Sequence, residues 1–292
     1  MQQQIVEVRV EDVRFPTSLQ QHGSDAMLRS SGHEASVENH LVSCPQHPDP
    51  DYSAAYVVLE TDGGGRGYGL TFTLGRGTQV VVCAVEALSG LLLGKTLEDI
   101  VDDFRGFYRL LTSDSQMRWI GPEKGAIHLA TAALLNAVWD LWARVEGKPL
   151  WKLLVDLSPE QLVSCVDFRY ISDALTEQQA LDLLREAQAG KAEREQQMLQ
   201  EGYPAYTTSC AWLGYSDQQL TQLCTDALAS GWSRFKVKVG AELKDDERRC
   251  RLIRQMIGPD KTLVRLMISF YYSFIYLLCI NKINKIYHFI IL

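Results

Sequence analysis

The sequence predicts an α/β protein in two parts: a strand hairpin followed by helices, and then the opening strands of a parallel barrel. Three observations point there. The glycine-rich stretch "TDGGGRGYGL" at 61–70 lies between two β-rich runs and precedes a long series of helical periodicities. From about residue 204 the chain alternates strand, helix, strand, helix, strand at a spacing that implies parallel pairing through right-handed crossovers. Inside that alternation, "RFKVKV" at 234–239 sets apolar residues on one face of a strand and cations on the other.

The bulk properties bound the function. With 292 residues and 46% apolar content the chain can build a sizeable core. A formal net charge of −7 and a pI near 5.4, without a basic stripe, exclude a nucleic-acid binder. The seven cysteines (44, 83, 165, 210, 224, 250, 279) form no CxxC and are odd in number, which fits a reducing compartment rather than a disulfide framework. The N-terminus carries Glu7, Glu11 and Asp12 and no apolar signal core, so no signal or transit peptide is evident, which leaves an organelle open.

Each element has a local reason. Residues 5–15 and 54–61 read as strands, and the glycine cluster as a wide turn leading into a strand at 70–74. A phosphate loop is disfavoured there, because neither GxGxxG nor a Walker GK[ST] is present. Helical periodicity follows over about 78–94, 96–112 and 125–154. The last is apolar on nearly every side, so it is expected to be buried, and His128 within it reads as a core or helix-terminal histidine rather than a ligand. The polar stretch 176–199, interrupted at Gly190, reads as a solvated helix pair. Residues 205–212 read as a strand. Ser216 and Gln219 form a capping box that opens a helix with Leu220, Leu223, Cys224, Ala227 and Leu228 on one face, ended by Gly231. A strand at 233–239 follows, and then a helix at about 243–257 with Asp245 and Asp246 at its positive end and Arg249, Arg251 and Arg254 further on. A third strand begins at Thr262.

The cationic face of 234–239 selects between two parallel architectures. In an open sheet both faces meet helices, and Lys236 and Lys238 would be buried at large cost. In a barrel Phe235, Val237 and Val239 pack outward and the lysines face the axis, toward the strand ends where barrel active sites lie. Two amines at i and i+2 repel, and partial desolvation adds to this, so one of them can serve as a base for a proton α to a carboxylate. The alternative is a solvated lysine pair on an edge strand.

Long stretches carry a family resemblance: "VEDVRFPTS", "HGSDAM", "DPDYSAAYVVLETD", "FRGFYRLLTSD", "RWIGPEKG", "LNAVWDLWARVEGKPLWKLL", "YPAYTTSCAWLGYSD" and "RFKVKVGAEL", together spanning residues 5 to about 263. The chain resembles the enolase superfamily and, within it, the L-fuconate dehydratases. The resemblance implies an α+β capping domain followed by a (β/α)₇β barrel, here incomplete. It implies a hydro-lyase acting on an acid sugar, L-fuconate, with Mg²⁺ stabilising the enediolate. Lys238 is then the base at C2, Lys236 holds the substrate carboxylate, and Gly23, Ser24, Asp25 and Tyr52 form the substrate-contacting segment. A mitochondrial or cytosolic location is implied, and assembly into a homo-oligomer is left open. The expected organisation is a capping domain over 1–160, a helical connection over 161–203, the first βα units over 204–263 and an aberrant apolar tail over 264–292.

Two segments depart from the family pattern. From Lys261 to Leu292 there is no Asp or Glu, and the tail holds +4 while the rest holds −11. It reads as translated A/T-rich noncoding sequence, as from intron retention or a truncated gene product. The family's carboxylate metal ligands and acid histidine have no counterpart in it, so no metal ligand is expected in this chain. The third strand is expected to keep an unpaired edge, and the chain to be inactive alone. The alternatives are a noncatalytic fragment that binds full-length subunits, or a membrane fragment anchored through Leu266–Ile280, which is shorter than the roughly 20 residues a bilayer requires. The second departure is an insertion at about 28–47 that separates Asp25 from Tyr52. Its His33, His40, Cys44 and His47 fit no standard zinc spacing, and an extra exon is the preferred reading.

Overall fold

The computed structural model describes residues 3–15, 52–120, 124–208, 210–212, 215–239, 243–267 and 286–288. Among these, residues up to 15 together with 52–201 form one unit, and those from 202 onward belong to a second.

In the first unit, β1 (Ile5–Arg14), β2 (Ser53–Thr61) and β3 (Arg66–Thr73) form an antiparallel sheet in the order β1-β2-β3. Ala55, Val57 and Leu59 of β2 are fully buried, as expected of a central strand. They face α1 (Thr78–Ser89) and the long α4 (Ala126–Val145), whose Ala130, Leu134, Ala137, Val138 and Leu141 belong to the same core. α4 is long and apolar enough to cross a membrane by length and composition, but more than half of it is buried inside this unit.

The glycine cluster has a different role from the turn read in the sequence. Gly64, at φ 78°, sits in the turn, but β3 already begins at Arg66, so Gly67 and Gly69 are strand residues. They let α4 lie directly on the strand: a Cβ on Gly69 would fall 2.1 Å from the Ala133 carbonyl oxygen, and one on Gly67 2.2 Å from that of Ala137. At this distance α4 also closes the strand's outer edge. Asp140 accepts from the Tyr68 N–H at 2.9 Å, and Asn136 donates to the Leu70 carbonyl at 3.2 Å. An exposed β3 would otherwise present those groups to other chains.

Two predicted helices are each divided. The 96–112 stretch forms α2 (Leu97–Asp102) and α3 (Phe104–Thr112), because Asp103 leaves the helical region at φ −135°, ψ 61° and caps α3 through the Gly106 N–H. The 125–154 stretch forms α4 and α5 (Leu150–Asp156), separated by left-handed Gly147 (φ 64°) and by Pro149, which caps α5. His128 is helix-terminal, as read: its Nδ1 accepts from the Lys124 N–H at 2.8 Å and steadies Lys124 at φ 73°. A short α6 (Pro159–Ser164), opened by a Ser158–Gln161 capping box, was not read from the sequence. Then come α7 (Glu177–Glu186) and α8 (Lys191–Glu201), separated at Gly190 as expected. No residue of α8 is buried, and Lys152 of α5 ties it down by bonding Asp156 at 2.7 Å and Glu195 at 2.6 Å.

In the second unit, α9 (Asp217–Ala229), β4 (Arg234–Val239), α10 (Leu243–Ile257) and β5 (Thr262–Met267) follow the predicted βα alternation. Ser216 caps α9 by accepting from the Gln219 N–H, and Gly231 ends it at φ 84°. β4 and β5 pair in parallel, from Arg234↔Thr262 to Val239↔Met267. Residues 205–212 do not form the continuous strand expected. They meet β4 in one parallel bridge, Thr207↔Phe235, and later through the bond from Lys238 N to the Ala211 carbonyl. Lys236 N bonds the Thr207 carbonyl, so two positions along β4 correspond to four along this segment between the two contacts. The expected unpaired edge of β5 is also corrected: β6 (Ile286–His288), from the apolar tail, pairs with it in parallel over Leu263↔Ile286, Val264↔Tyr287 and Arg265↔His288. The tail's β-branched and aromatic content suits such pairing. Residues 264–267 belong to β5. The remainder of the anchor stretch considered above, and the insertion at 28–47 with His33, His40, Cys44 and His47, lie outside the described residues.

Two measurements test this packing. Gly69→Ala is expected to lower unfolding free energy by about 3 kcal/mol, because the methyl group meets helix backbone that cannot yield. Gly90→Ala, where a Cβ meets nothing within 4 Å and φ is −59°, is expected to stay within about 0.5 kcal/mol in the same urea titration. Hydrogen bonds from Lys148 and Lys152 hold the Asp156 carboxyl down at about 2, below its usual 3.8. A depressed pKa contributes stability above the unfolded value and loses it as pH falls through the folded one. The stability difference between the native sequence and Asp156→Asn is therefore expected to be full above pH 4 and to shrink toward pH 2.

Candidate functional site

The site is built on β4. Phe235, Val237 and Val239 are each at most 1% exposed and pack with Leu220 and Cys224 of α9 and with Cys250 and Ile253 of α10. Side chains alternate along a strand, so this packing forces Lys236 and Lys238 onto the opposite face, where both are half-buried. β4 is the terminal strand in the order β4-β5-β6, and its other side meets described residues of the preceding segment through the Thr207↔Phe235 bridge and the bond from Lys238 N to the Ala211 carbonyl. The two lysine Cα atoms are roughly 7 Å apart along the strand. Lys236 Nζ lies 5.1 Å from the centre of the Tyr206 ring, a cation–π contact that orients it.

Behind this face lies a buried arginine whose role was not read from the sequence. Arg249 of α10 is 2% exposed. Its guanidinium donates to the Lys238 carbonyl at 3.0 Å, the Ala211 carbonyl at 3.2 Å and the Trp212 carbonyl at 2.6 Å. The buried Asp246 carboxylate sits 3.7 Å away as counter-charge. A signal was available: Asp246, Arg249, Cys250, Ile253 and Ile257 follow one helical face, so the charged pair lies on the apolar stripe of α10. Arg254 does similar work at the other end of α10, donating to the Gly258 and Lys261 carbonyls at 2.9 and 2.7 Å, and burial lowers its pKa. At the helix start, Arg248 bridges Asp245 and Asp217 of α9; it holds the Asp217 carboxyl below the usual range.

The other candidate residues fall elsewhere. Tyr52 stands just before β2 in the first unit, its ring edge-on to Phe72 with centres 5.2 Å apart. Gly23, Ser24 and Asp25 lie outside the described residues. Among the described residues no group of three or more His, Cys, Asp or Glu side chains converges as a cation would require, so these residues do not fit a magnesium site. Nor does Cys224 suit nucleophilic catalysis: a hydrogen bond with Cys210, together with burial, pushes its thiol pKa up.

The division of labour along β4 can be measured. Phe235→Ala is expected to cost about 3–5 kcal/mol of unfolding free energy, as for other buried aromatics. Lys236→Ala and Lys238→Ala are each expected to cost under about 1 kcal/mol, because the lysines lie off the apolar core. Equal losses at all three positions in urea titrations would contradict a packed face opposed to a chemical one.

Residues 49–155 match the mandelate racemase/muconate lactonizing enzyme N-terminal domain family. Over 257 residues the chain is 68% identical to mitochondrial enolase superfamily member 1 of Bos taurus, covering 87% of this chain and 54% of the relative. It is 48% identical over 254 residues to L-galactonate dehydratase of Hypocrea jecorina, covering 87% and 52%. The crystal structure of human mitochondrial enolase superfamily member 1 superposes with a TM-score of 0.84 at 59% identity, covering 97% of this chain and 62% of that one. The chain spans about half the length of these curated relatives. In sequence and in fold alike, the chain belongs to the enolase superfamily.

Proposed function

We propose that this chain carries the base-bearing part of an acid-sugar dehydratase, acting on L-fuconate in the mitochondrion. The observation that carries the reading is the pair of amines on one face of β4, opposite a fully packed apolar face. The 48% identity to an L-galactonate dehydratase supports the acid-sugar class, and the names of the vertebrate relatives support the location.

In the proposed reaction, Lys236 as ammonium pairs with the substrate carboxylate and withdraws electron density from the α-carbon. The unprotonated Lys238 amine takes the C2 proton, and the C–H electron pair moves into the enediolate. The C3–O bond then breaks, the leaving hydroxide takes its proton from the acid histidine that the family resemblance implies and goes as water, and the enol tautomerises to a 2-keto-3-deoxy acid. Magnesium, which the family resemblance implies, would supply charge stabilisation to the enediolate from ligands other than the described residues. Gly23, Ser24, Asp25 and Tyr52 are proposed to contact the sugar. The 292-residue chain by itself is proposed to bind acid sugar without turning it over.

Reductive ¹³C-methylation of the lysines gives each amine its own NMR line. L-fuconate is expected to shift the Lys236 and Lys238 lines, whereas L-fucose, which lacks the carboxylate, is not, and Lys236→Ala is expected to abolish the response. No shift with L-fuconate, or an equal shift with both sugars, would contradict the substrate reading; magnesium-dependent 2-keto product from the chain alone would contradict the assigned lack of turnover.

A further inference from the structure

We propose that Arg249 is a positioning residue for the Lys238 amine, acting as a clamp on the carbonyl ends of β4 and of the segment before α9. The proposal rests on the reading of Lys238 as the base, and it concerns how that base is held.

Among the described residues, β4 meets the preceding segment out of the step of a regular ladder. Lys236 N bonds the Thr207 carbonyl, and Lys238 N bonds the Ala211 carbonyl at 3.1 Å, four positions beyond Thr207. Pairing out of step fixes a strand less firmly than a continuous ladder does. Arg249 enters at this level. Its two Nη atoms hold the carbonyl of Lys238 from β4 and those of Ala211 and Trp212 from the preceding segment. Both main-chain polar groups of Lys238 are therefore occupied, the N–H by Ala211 and the carbonyl by Arg249, which fixes the direction of its Cα–Cβ bond.

Stability alone gives little reason for this arrangement. Taking a guanidinium and a carboxylate out of water is costly, and an apolar side chain of similar volume often does as well or better in a core. Arg249 and Asp246 lie among Cys250, Ile253 and Ile257, where such a replacement would pack. What an apolar residue cannot do is bind three carbonyls of two chain segments at once. Nor can lysine, a point donor without the planar fork. The geometry suits a device that trades stability for alignment of the strand ends, next to the residue proposed to move a proton.

The test uses the ¹³C-methylated chain without any sugar, so it stands apart from whether an acid sugar binds. Arg249→Lys and Arg249→Met are compared with the unaltered chain, and circular dichroism verifies folding. In both variants the Lys238 line is expected to move toward the position of solvated lysines, while the line of Lys236, held over the Tyr206 ring, and that of Lys261 stay in place. If both variants fold and the Lys238 line does not move, the proposal is overturned. It is likewise overturned if Arg249→Lys retains the native line, because a point charge would then suffice. If neither variant folds, Arg249→Gln, which keeps a planar amide donor but is too short to hold the three carbonyls together, decides the matter. A displaced Lys238 line in that variant supports the clamp, and an unmoved Lys238 line overturns it.

Discussion

Burial of Phe235, Val237 and Val239 between α9 and α10 determines which way Lys236 and Lys238 face, and the chemistry proposed for this chain rests on it. Each of those apolar side chains contributes about 1.5–3 kcal/mol by leaving water. A one-residue slip of β4 would expose all three and drive two ammonium groups into the core. The register is therefore strongly determined without any contribution from the lysines. Arg249 and Arg254 of α10 fix carbonyls at opposite ends of the βα unit.

The first unit rests on a comparable constraint of a different kind. Gly67 and Gly69 remove the side chains that would hold α4 away from β3, and Asp140 and Asn136 then satisfy the strand's outer edge. Arg144 extends the contact, pairing with Asp140 at 2.6 Å and lying 4.8 Å above the Tyr68 ring. A three-stranded sheet with one face on helices is thereby kept from pairing with a further strand along β3. The helix polar groups that do this, Asn136, Asp140 and Arg144, lie within a stretch that carries the family resemblance, whereas Gly67 and Gly69 lie outside the stretches quoted for it.

Much of this was legible in the sequence because period-two and period-three-to-four patterns record burial directly. β4, α9, α10 and the start of β5 lie close to where their patterns place them; left-handed Gly231 ends α9, and left-handed Gly190 closes the turn between α7 and α8. The readings that failed share a cause: the deciding interaction was tertiary. Gly67 and Gly69 looked like turn residues because their partner, α4, lies more than sixty positions away. Asp103 divides a helix by capping its second half, and the unequal spacing of the Thr207 and Ala211 contacts with β4 shows only once two segments are aligned. Of the candidate site, the two lysines were legible from alternation alone. Arg249 was seen as one charge among several on a helix, since sequence position does not reveal that it is buried against three carbonyls.

The central claim is that β4 presents its lysines on one face and its packed apolar residues on the other. Single cysteines at 236, 237 and 238, each probed with a thiol reagent on the native chain and read peptide by peptide in a mass spectrometer, test it most directly. The account expects Lys236→Cys and Lys238→Cys to react in the folded protein and Val237→Cys to react only once the chain is unfolded. Rapid labelling at 237 with protection at 236 and 238 would contradict it.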